Sequence, residues 1–285
     1  MKNLIITALA LMILAGVTVD AVSTADAVEV TRLSDRAMVF RLVSDPSEFN
    51  NIVALKTAKG VVVVDTHLSP FGASLIRRRI QGEFRADSIA YVINTHAHGD
   101  HTFGNQVFPE AVVIGHENIP GEMKLAGDRL PATIRYLRAQ AGQWKSKWEG
   151  MDKESEEAKT LEKRIDGYEG AARSLESGFQ LTPPALTFSD KMTLNLGDIH
   201  LEMTWFGTSH SQSDILIYCP EEKLLLTGDL FSAGQNLWVD SERIPFLPRW
   251  EKCLDAFASD KTSGLHVVPG HGAFLDPALL APKPA

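Results

Sequence analysis

Between residues 28 and 65 the chain alternates short apolar, β-branched runs with Asp, Ser, Pro and Gly: VEVTRL, AMVFRLV, NIVALKT and VVVVD. Such runs predict strands. VVVVD lacks polar alternation, which predicts burial on both faces. From Phe71 to Phe84 the period changes: Leu75, Ile76 and Ile80 share one helical face, with three arginines beside them, which predicts an amphipathic helix. IAYVIN (89–94) and AVVIG (111–115) return to the buried-strand pattern. Residues 131–148 and 152–178 read as helices, the second dense in Glu, Lys and Ala and stopping at Gly178. Their mixed charges suit solvated faces; the alternative is a helical lid that offers Tyr136, Trp144 and Trp148 to a cleft. Strands resume with ALTF, KMTLNL, IHLEMTWF, DILIYC and KLLLTGD, followed by a helix over 248–259 and a last strand in LHVVPGH.

A weak internal repeat organises these elements. A buried strand ends in Asp65, a helix follows, and a second strand ends just before His96. Later a buried strand ends in Asp229, a helix follows, and a strand ends just before His271. Two β-α-β halves of an α/β fold would gather these polar residues at one edge, where open α/β sheets hold their ligands.

The N-terminus has a separate character. Lys2, the uncharged apolar run 4–17 and Ala25-Asp26-Ala27 have the form of a secretory signal peptide over residues 1–27. The expected mature chain is one domain, 28–285, with a helical insertion at about 117–182, and it is periplasmic or secreted with no stable membrane insertion. Lys plus Arg is 28 and Asp plus Glu 36, a net charge of −8. That balance argues against a general nucleic-acid partner. Two cysteines, Cys219 and Cys253, are too few for a disulfide scaffold. Whether they pair, and the oligomeric state, stay open.

The chemistry concentrates in INTHAHGDH. His96, His98, Asp100 and His101 fall within six positions after a buried strand. Imidazole and carboxylate donors suit Zn2+, with Mn2+ and Fe2+ as alternatives. Alternate residues on an extended loop point the same way, so His96 and His98 can share one ion, while Asp100 and His101 serve a second. Gly99 would permit a sharp turn between the pairs. Each ion needs about four donors. His210, Asp229 and His271, each after an apolar strand and a glycine-containing turn, can complete the sets.

Asp65, HAHGDH, His210, Asp229 and His271 occur in the order found in the metallo-β-lactamase superfamily, which the sequence resembles from about residue 30 to about residue 275. The resemblance implies a four-layer αββα sandwich with a dinuclear site at one edge. By motif position, His96, His98 and His210 would hold one ion, Asp100, His101 and His271 the other, and Asp229 would bridge them. Asp65 would support the metal loop from behind. A metal-bound histidine needs an acceptor for its other ring N–H, for which Asp65 and Asp214 are candidates. His67 and Trp238, near the predicted mouth, are weaker candidates for substrate contact, and His116 reads as structural.

Two zinc ions per chain would generate a hydroxide nucleophile at neutral pH, with Asp100 orienting it. The expected enzyme is a metallo-hydrolase for a small ester, lactone, thioester or β-lactam. Asp229 makes the ligand set similar to that of glyoxalase II and lactonases; one β-lactamase branch carries Cys at that place, and another lacks the bridging Asp. The alternatives are a mononuclear iron sulfur dioxygenase and a non-catalytic periplasmic metal-binding protein.

Overall fold

The computed structural model describes residues 27–43, 50–231 and 264–276. Strands β1 (Val28–Arg32), β2 (Ala37–Leu42), β3 (Ile52–Thr57) and β4 (Gly60–Val64) run antiparallel, neighbour to neighbour. Strands β5 (Ile89–Ile93), β6 (Val112–His116) and β7 (Leu186–Phe188) then add in parallel, giving a seven-stranded sheet in sequence order. A second sheet holds β8 (Lys191–Asn195), β9 (His200–Trp205), β10 (Ile215–Cys219), β11 (Leu224–Gly228) and β12 (His266–Pro269), in the order β12-β11-β10-β9-β8. Only the β11–β12 pair is parallel in this sheet.

The period-2 geometry of strands explains the apolar runs. In β4, Val62 and Val64 face the second sheet, where they meet Ile215, Ile217, Leu224 and Leu226. Val61 and Val63 face the other way and pack under helix α1 (Pro70–Phe84). Each face of VVVVD therefore has an apolar partner. Helix α1 starts where the Ser69 hydroxyl accepts from Gly72 N (3.2 Å) and Pro70 occupies the first turn, both favoured at that position. Leu75, Ile76, Ile80 and Phe84 are its buried stripe, and the arginines lie outside it.

Helices α2 (Gly99–Thr102), α3 (Ile119–Asp128), α4 (Leu130–Glu149) and α5 (Glu156–Glu176) follow in chain order. The last two are the helices read in 131–148 and 152–178; α3 lies within the expected helical insertion of about 117–182, at a place where no separate helix is read. The α4–α5 hairpin is built into the body. Gly170 lies against the Phe71 ring of α1, and Phe103 is buried among Leu137, Tyr168, Ala171 and Leu175. These contacts anchor the hairpin to the body. Trp144 lies beneath the Arg164 guanidinium (4.6 Å) and Trp148 beneath the Lys153 ammonium (3.5 Å), so both rings are engaged by their own hairpin. Tyr136 is exposed.

Cys219 is buried in β10 without a disulfide, and burial pushes its thiol up to about 12. Residues 1–26, Trp238, Cys253 and the helix expected over 248–259 lie outside the described residues. No described helix is long and apolar enough to cross a membrane.

Candidate metal centre

The predicted donors come from the carboxyl ends of four strands. The loop from β5 into α2 supplies His96, His98, Asp100 and His101; His210 follows β9, Asp229 follows β11 and His271 follows β12. They meet in two groups, His96–His98–His210–Asp229 and Asp100–His101–His271, within each of which the ligand atoms lie inside 4.8 Å of one another. His98 Nδ1 is 3.0 Å from His96 Nε2 and 2.9 Å from His210 Nε2. His101 Nε2 is 3.2 Å from His271 Nε2. Asp100 Oδ2 is 3.0 Å from His271 Nε2 and 3.4 Å from His101 Nε2. Asp229 reaches both groups: Oδ2 is 3.5 Å from His210 and 3.4 Å from His271, and Oδ1 is 3.5 Å from His101.

A second layer of hydrogen bonds aims the rings. Asp65 accepts from Thr95 N at Oδ1 (2.8 Å), and at Oδ2 from Thr95 Oγ1 and His101 Nδ1 (both 2.8 Å). The Thr95 hydroxyl has one proton and gives it to Asp65. It therefore accepts from His96 Nδ1 at 3.1 Å. One carboxylate thus orients a histidine in each group, with both Nε2 atoms facing inward. The Asp214 carboxylate accepts from Ser211 N (2.6 Å) and Ser211 Oγ (2.8 Å), holding the loop that carries His210.

The two groups differ in charge. Burial takes His96 well below the ordinary imidazole range, helped by His101 and opposed by Asp229. Burial and the facing His210 bring His98 down to about 4. Both rings are neutral donors at neutral pH. Burial also opposes charge on His101, but Asp100, Asp229 and Asp65 raise it well above its usual value. Against burial, hydrogen bonds to Asp100 and Asp229 lift His271 to about 10. Asp100 and Asp229 are partly buried, which works toward protonation, yet His101 and His271 hold both carboxylates well below the usual range.

These donors fit divalent cations. Facing imidazole nitrogens 2.9–3.2 Å apart lie just inside the edge of about 3.3–3.4 Å of a tetrahedron with the zinc–imidazole bond of about 2.0–2.1 Å. Asp229 Oδ1 is buried with no hydrogen-bond partner, an expensive state for a carboxylate oxygen that a cation between the groups would relieve. Gly270 makes room: a Cβ there would sit 2.1 Å from Asp229 Oδ1 and 2.9 Å from His101 Cε1.

Several positions differ from the sequence reading. Gly99 is not at a left-handed turn; it opens α2, and a Cβ there would press on the Phe103 ring at 2.8 Å. His67 is buried, its ring lies against Gly72, and its Nδ1 accepts from Ser69 N (3.2 Å). His116 is structural, stacked on Trp205 at 4.7 Å with Nε2 donating to Ser189 O (2.7 Å). The sequence reading missed Thr95, Asn51 and Arg41. Asn51 donates to Pro269 O (2.8 Å) and Gly272 O (3.1 Å), and Arg41 donates to Gly272 O (2.7 Å), so the β2–β3 hairpin clamps the His271 loop. Thr95 could have been suspected from its place beside the motif; Asn51 and Arg41 carry no local signal.

Two facing sheets with a histidine–aspartate cage at their strand ends define an α/β sandwich with a candidate metal centre at one edge. A sequence model of the metallo-beta-lactamase superfamily matches residues 46–271, and the chain belongs to that superfamily. Among curated proteins it is 28% identical over 94 residues to a metallo-beta-lactamase type 2 from Bacteroides fragilis (33% of this chain, 38% of that protein). It is 27% identical over 208 residues to the 2,4-dinitroanisole O-demethylase subunit alpha of Nocardioides sp. (strain JS1661), covering 71% of this chain and 48% of that one. The matches therefore span less than half the length of either relative. The metallo-beta-lactamase FIM-1 from Pseudomonas aeruginosa, in its mono-zinc form, shares the fold with a TM-score of 0.60 at 14% identity, over 89% of this chain and 91% of that one. The sec-alkylsulfatase Pisa1 from Pseudomonas sp. shares it at 0.56 and 16%, over 87% of this chain and 39% of that one.

Proposed function

We propose that the protein is a two-metal hydrolase, with zinc as its ion, acting on a small ester, lactone, thioester or β-lactam. The observation that carries this reading is the position of Asp229, whose carboxylate reaches histidines of both donor groups. A single ion at His96, His98 and His210 would leave Asp100, His101 and His271 converged without a task, which favours hydrolysis by an ion pair over iron-dependent oxygen chemistry. Paired divalent ions supply an acidified water and a Lewis acid for the scissile carbonyl.

The chain's own residues do the rest. Asp65 and Thr95 hold His101 and His96 in the donor tautomer. Asp100 Oδ2 is ionised and partly open to solvent, beside His271, where it can take a proton and return it to a leaving group. Side-chain exposure is 25% at Asp100 and 20% at His271, against 0% at His96 and His101, so substrate approaches from the Asp100–His271 side. Relatives named for cleaving β-lactams, an aryl ether and an alkyl sulfate share this fold or family.

The test is metal quantification on the purified chain, coupled to a panel of chromogenic esters, lactones, thioesters and a cephalosporin. Two equivalents of zinc, with turnover lost on chelation and restored by zinc, is expected. Turnover that survives complete metal removal overturns the proposal. So does a single bound iron with oxygen consumption, or a zinc-loaded chain inert to the whole panel.

A further inference from the structure

The outer face of α1 carries a second concentration of charge. Arg32 of β1, Arg78 and Arg79 of α1 and Arg85 at its C-terminal cap surround a hollow of about 470 Å3, with Gly82 and Glu83 completing the wall. Helix α1 begins beside the carboxyl end of β4 and ends before the amino end of β5, so this hollow lies at the opposite edge from the metal centre. Glu83 is the lone carboxylate in the lining, shared between Arg32 (3.5 Å) and Arg79 (2.9 Å). Arg32 also approaches Asp35 at 4.0 Å. Arg78 and Arg85 are exposed and form no ion pair with any described residue. Arg79 Nε is buried with no hydrogen-bond partner. Four guanidinium groups against one carboxylate is an unusual local balance in a chain with a net charge of −8.

Two local choices oppose helix preference and keep the hollow as it is. Glycine is the least favourable helical residue after proline, yet Gly82 stands in the last turn of α1. A Cβ at Gly82 would meet nothing within 4 Å, so packing does not require the glycine, whereas a long side chain would enter the hollow. Arg85 has φ 49° and ψ 49°, the left-handed cap that helices normally give to Gly or Asn. An arginine in that conformation carries backbone strain. Departures from local preference without a packing gain mark sites selected for something else.

We propose that this hollow binds a polyanion of the phosphate class, with Arg78 and Arg85 as its free forks and Arg32 and Arg79 supporting. Guanidinium groups pair bidentately with phosphate oxygens, and the volume falls in the range of about 300–1,000 Å3 typical of small-ligand sites. The same chemistry is presented by a soluble polyphosphate and by phosphate headgroups at a lipid surface.

Calorimetric titration with inorganic pyrophosphate, and cosedimentation with phosphatidylglycerol or phosphatidylcholine vesicles, separate these sources. The full chain is compared with R78Q/R85Q and with Gly82→Glu. All three share one metal centre, so anion held there cancels in the comparison. Gly82→Glu keeps the arginines, places a good helix former where there is space, and sets a carboxylate in the hollow. Saturable pyrophosphate binding at least about tenfold tighter in the wild type than in either variant, and weaker in high salt, is expected for charge-assisted pairing. Phosphatidylglycerol-selective sedimentation lost in both variants, without a pyrophosphate difference, assigns the anion to a headgroup. Equal behaviour of the three proteins with both probes overturns the proposal.

Discussion

Asp65 holds His101 through a 2.8 Å hydrogen bond from the imidazole Nδ1, across 36 positions of sequence. The same carboxylate governs His96 through the Thr95 hydroxyl. Both histidines are fully buried, so neither ring can be reoriented by water. One acid behind the cage therefore sets a donor in each half of it. Asp65 has φ 63°, a conformation rare outside glycine. The three hydrogen bonds to its carboxylate hold it in that conformation.

Replacing Asp65 with Asn substitutes an amide, which can no longer accept from all three donors. Metal affinity should fall by about 10–100-fold, the usual cost of removing an outer-shell acceptor. Thr95→Val keeps the shape and removes only the relay to His96. It should weaken the ion held by His96, His98 and His210 more than the other. Competition against a chromophoric chelator reads both effects, and equal, unchanged affinities would show that the rings need no such orientation.

Gly270→Ala tests the crowding of the cage. Its methyl would overlap Asp229 Oδ1 and touch His101. The carboxylate must move, and with it the one group that reaches both donor sets. The variant should keep its far-ultraviolet circular dichroism but lose at least one metal equivalent. Full metal content would show that Asp229 can shift without consequence.

Much of this arrangement was legible in the sequence because its signals are local. VVVVD and IAYVI are apolar without alternation because both faces are covered, and HAHGDH places four donors within six residues. Other features depend on contacts far along the chain. Asn51 meets Pro269 across 218 positions, and nothing near residue 51 signals it. Helix α3 was missed because Pro120, Gly121 and Gly127 dilute its helical signature. Its buried Ile119 and Met123 pack with Ala97 of the metal loop and so supply what propensity lacks. Gly99 shows a third kind of failure, in which the residue type was noticed and the cause misassigned. The space it leaves is for the Phe103 ring, a need visible only in three dimensions.

Phe103 links the metal loop to the helical hairpin. It follows α2 directly, is 3% exposed, and lies 4.9 Å from the Phe179 ring at the hairpin's far end. Phe103→Ala should cost about 3–5 kcal/mol by opening a cavity, read from urea unfolding. Phe103→Leu should retain most of that stability. Metal affinity should follow the same order, because α2 carries Asp100 and His101. Deleting 122–178 should yield an insoluble chain, since it removes Leu137, Tyr168 and Leu175 from around Phe103. A soluble deletion variant with intact metal content would return the hairpin to the status of a dispensable lid.

A surface pair provides a pH-dependent test away from the cage. His200 Nδ1 lies 2.6 Å from Glu221 Oε1, and Nε2 lies 3.3 Å from Glu202 Oε1. The Glu221 hydrogen bond chiefly raises the His200 pKa. At Glu221, partial burial works toward protonation, but its own backbone N–H and the His200 bond outweigh it and lower the pKa. A raised histidine stabilises the fold fully below its ordinary value of 6.5 and loses that effect as pH rises through the raised value. A lowered glutamate contributes above its ordinary value of 4.5 and loses that contribution as pH falls through the lowered value. The pair is therefore strongest between those two ordinary values. Both side chains are largely solvated, so screening limits the gain to about 0.2–1 kcal/mol. Urea unfolding of wild type and His200→Gln should differ by that amount near about pH 5.5 and converge well above the raised histidine value, where the imidazole is neutral. A gap that widens toward alkaline pH would mean that neutral His200, and not the ion pair, is what the fold uses.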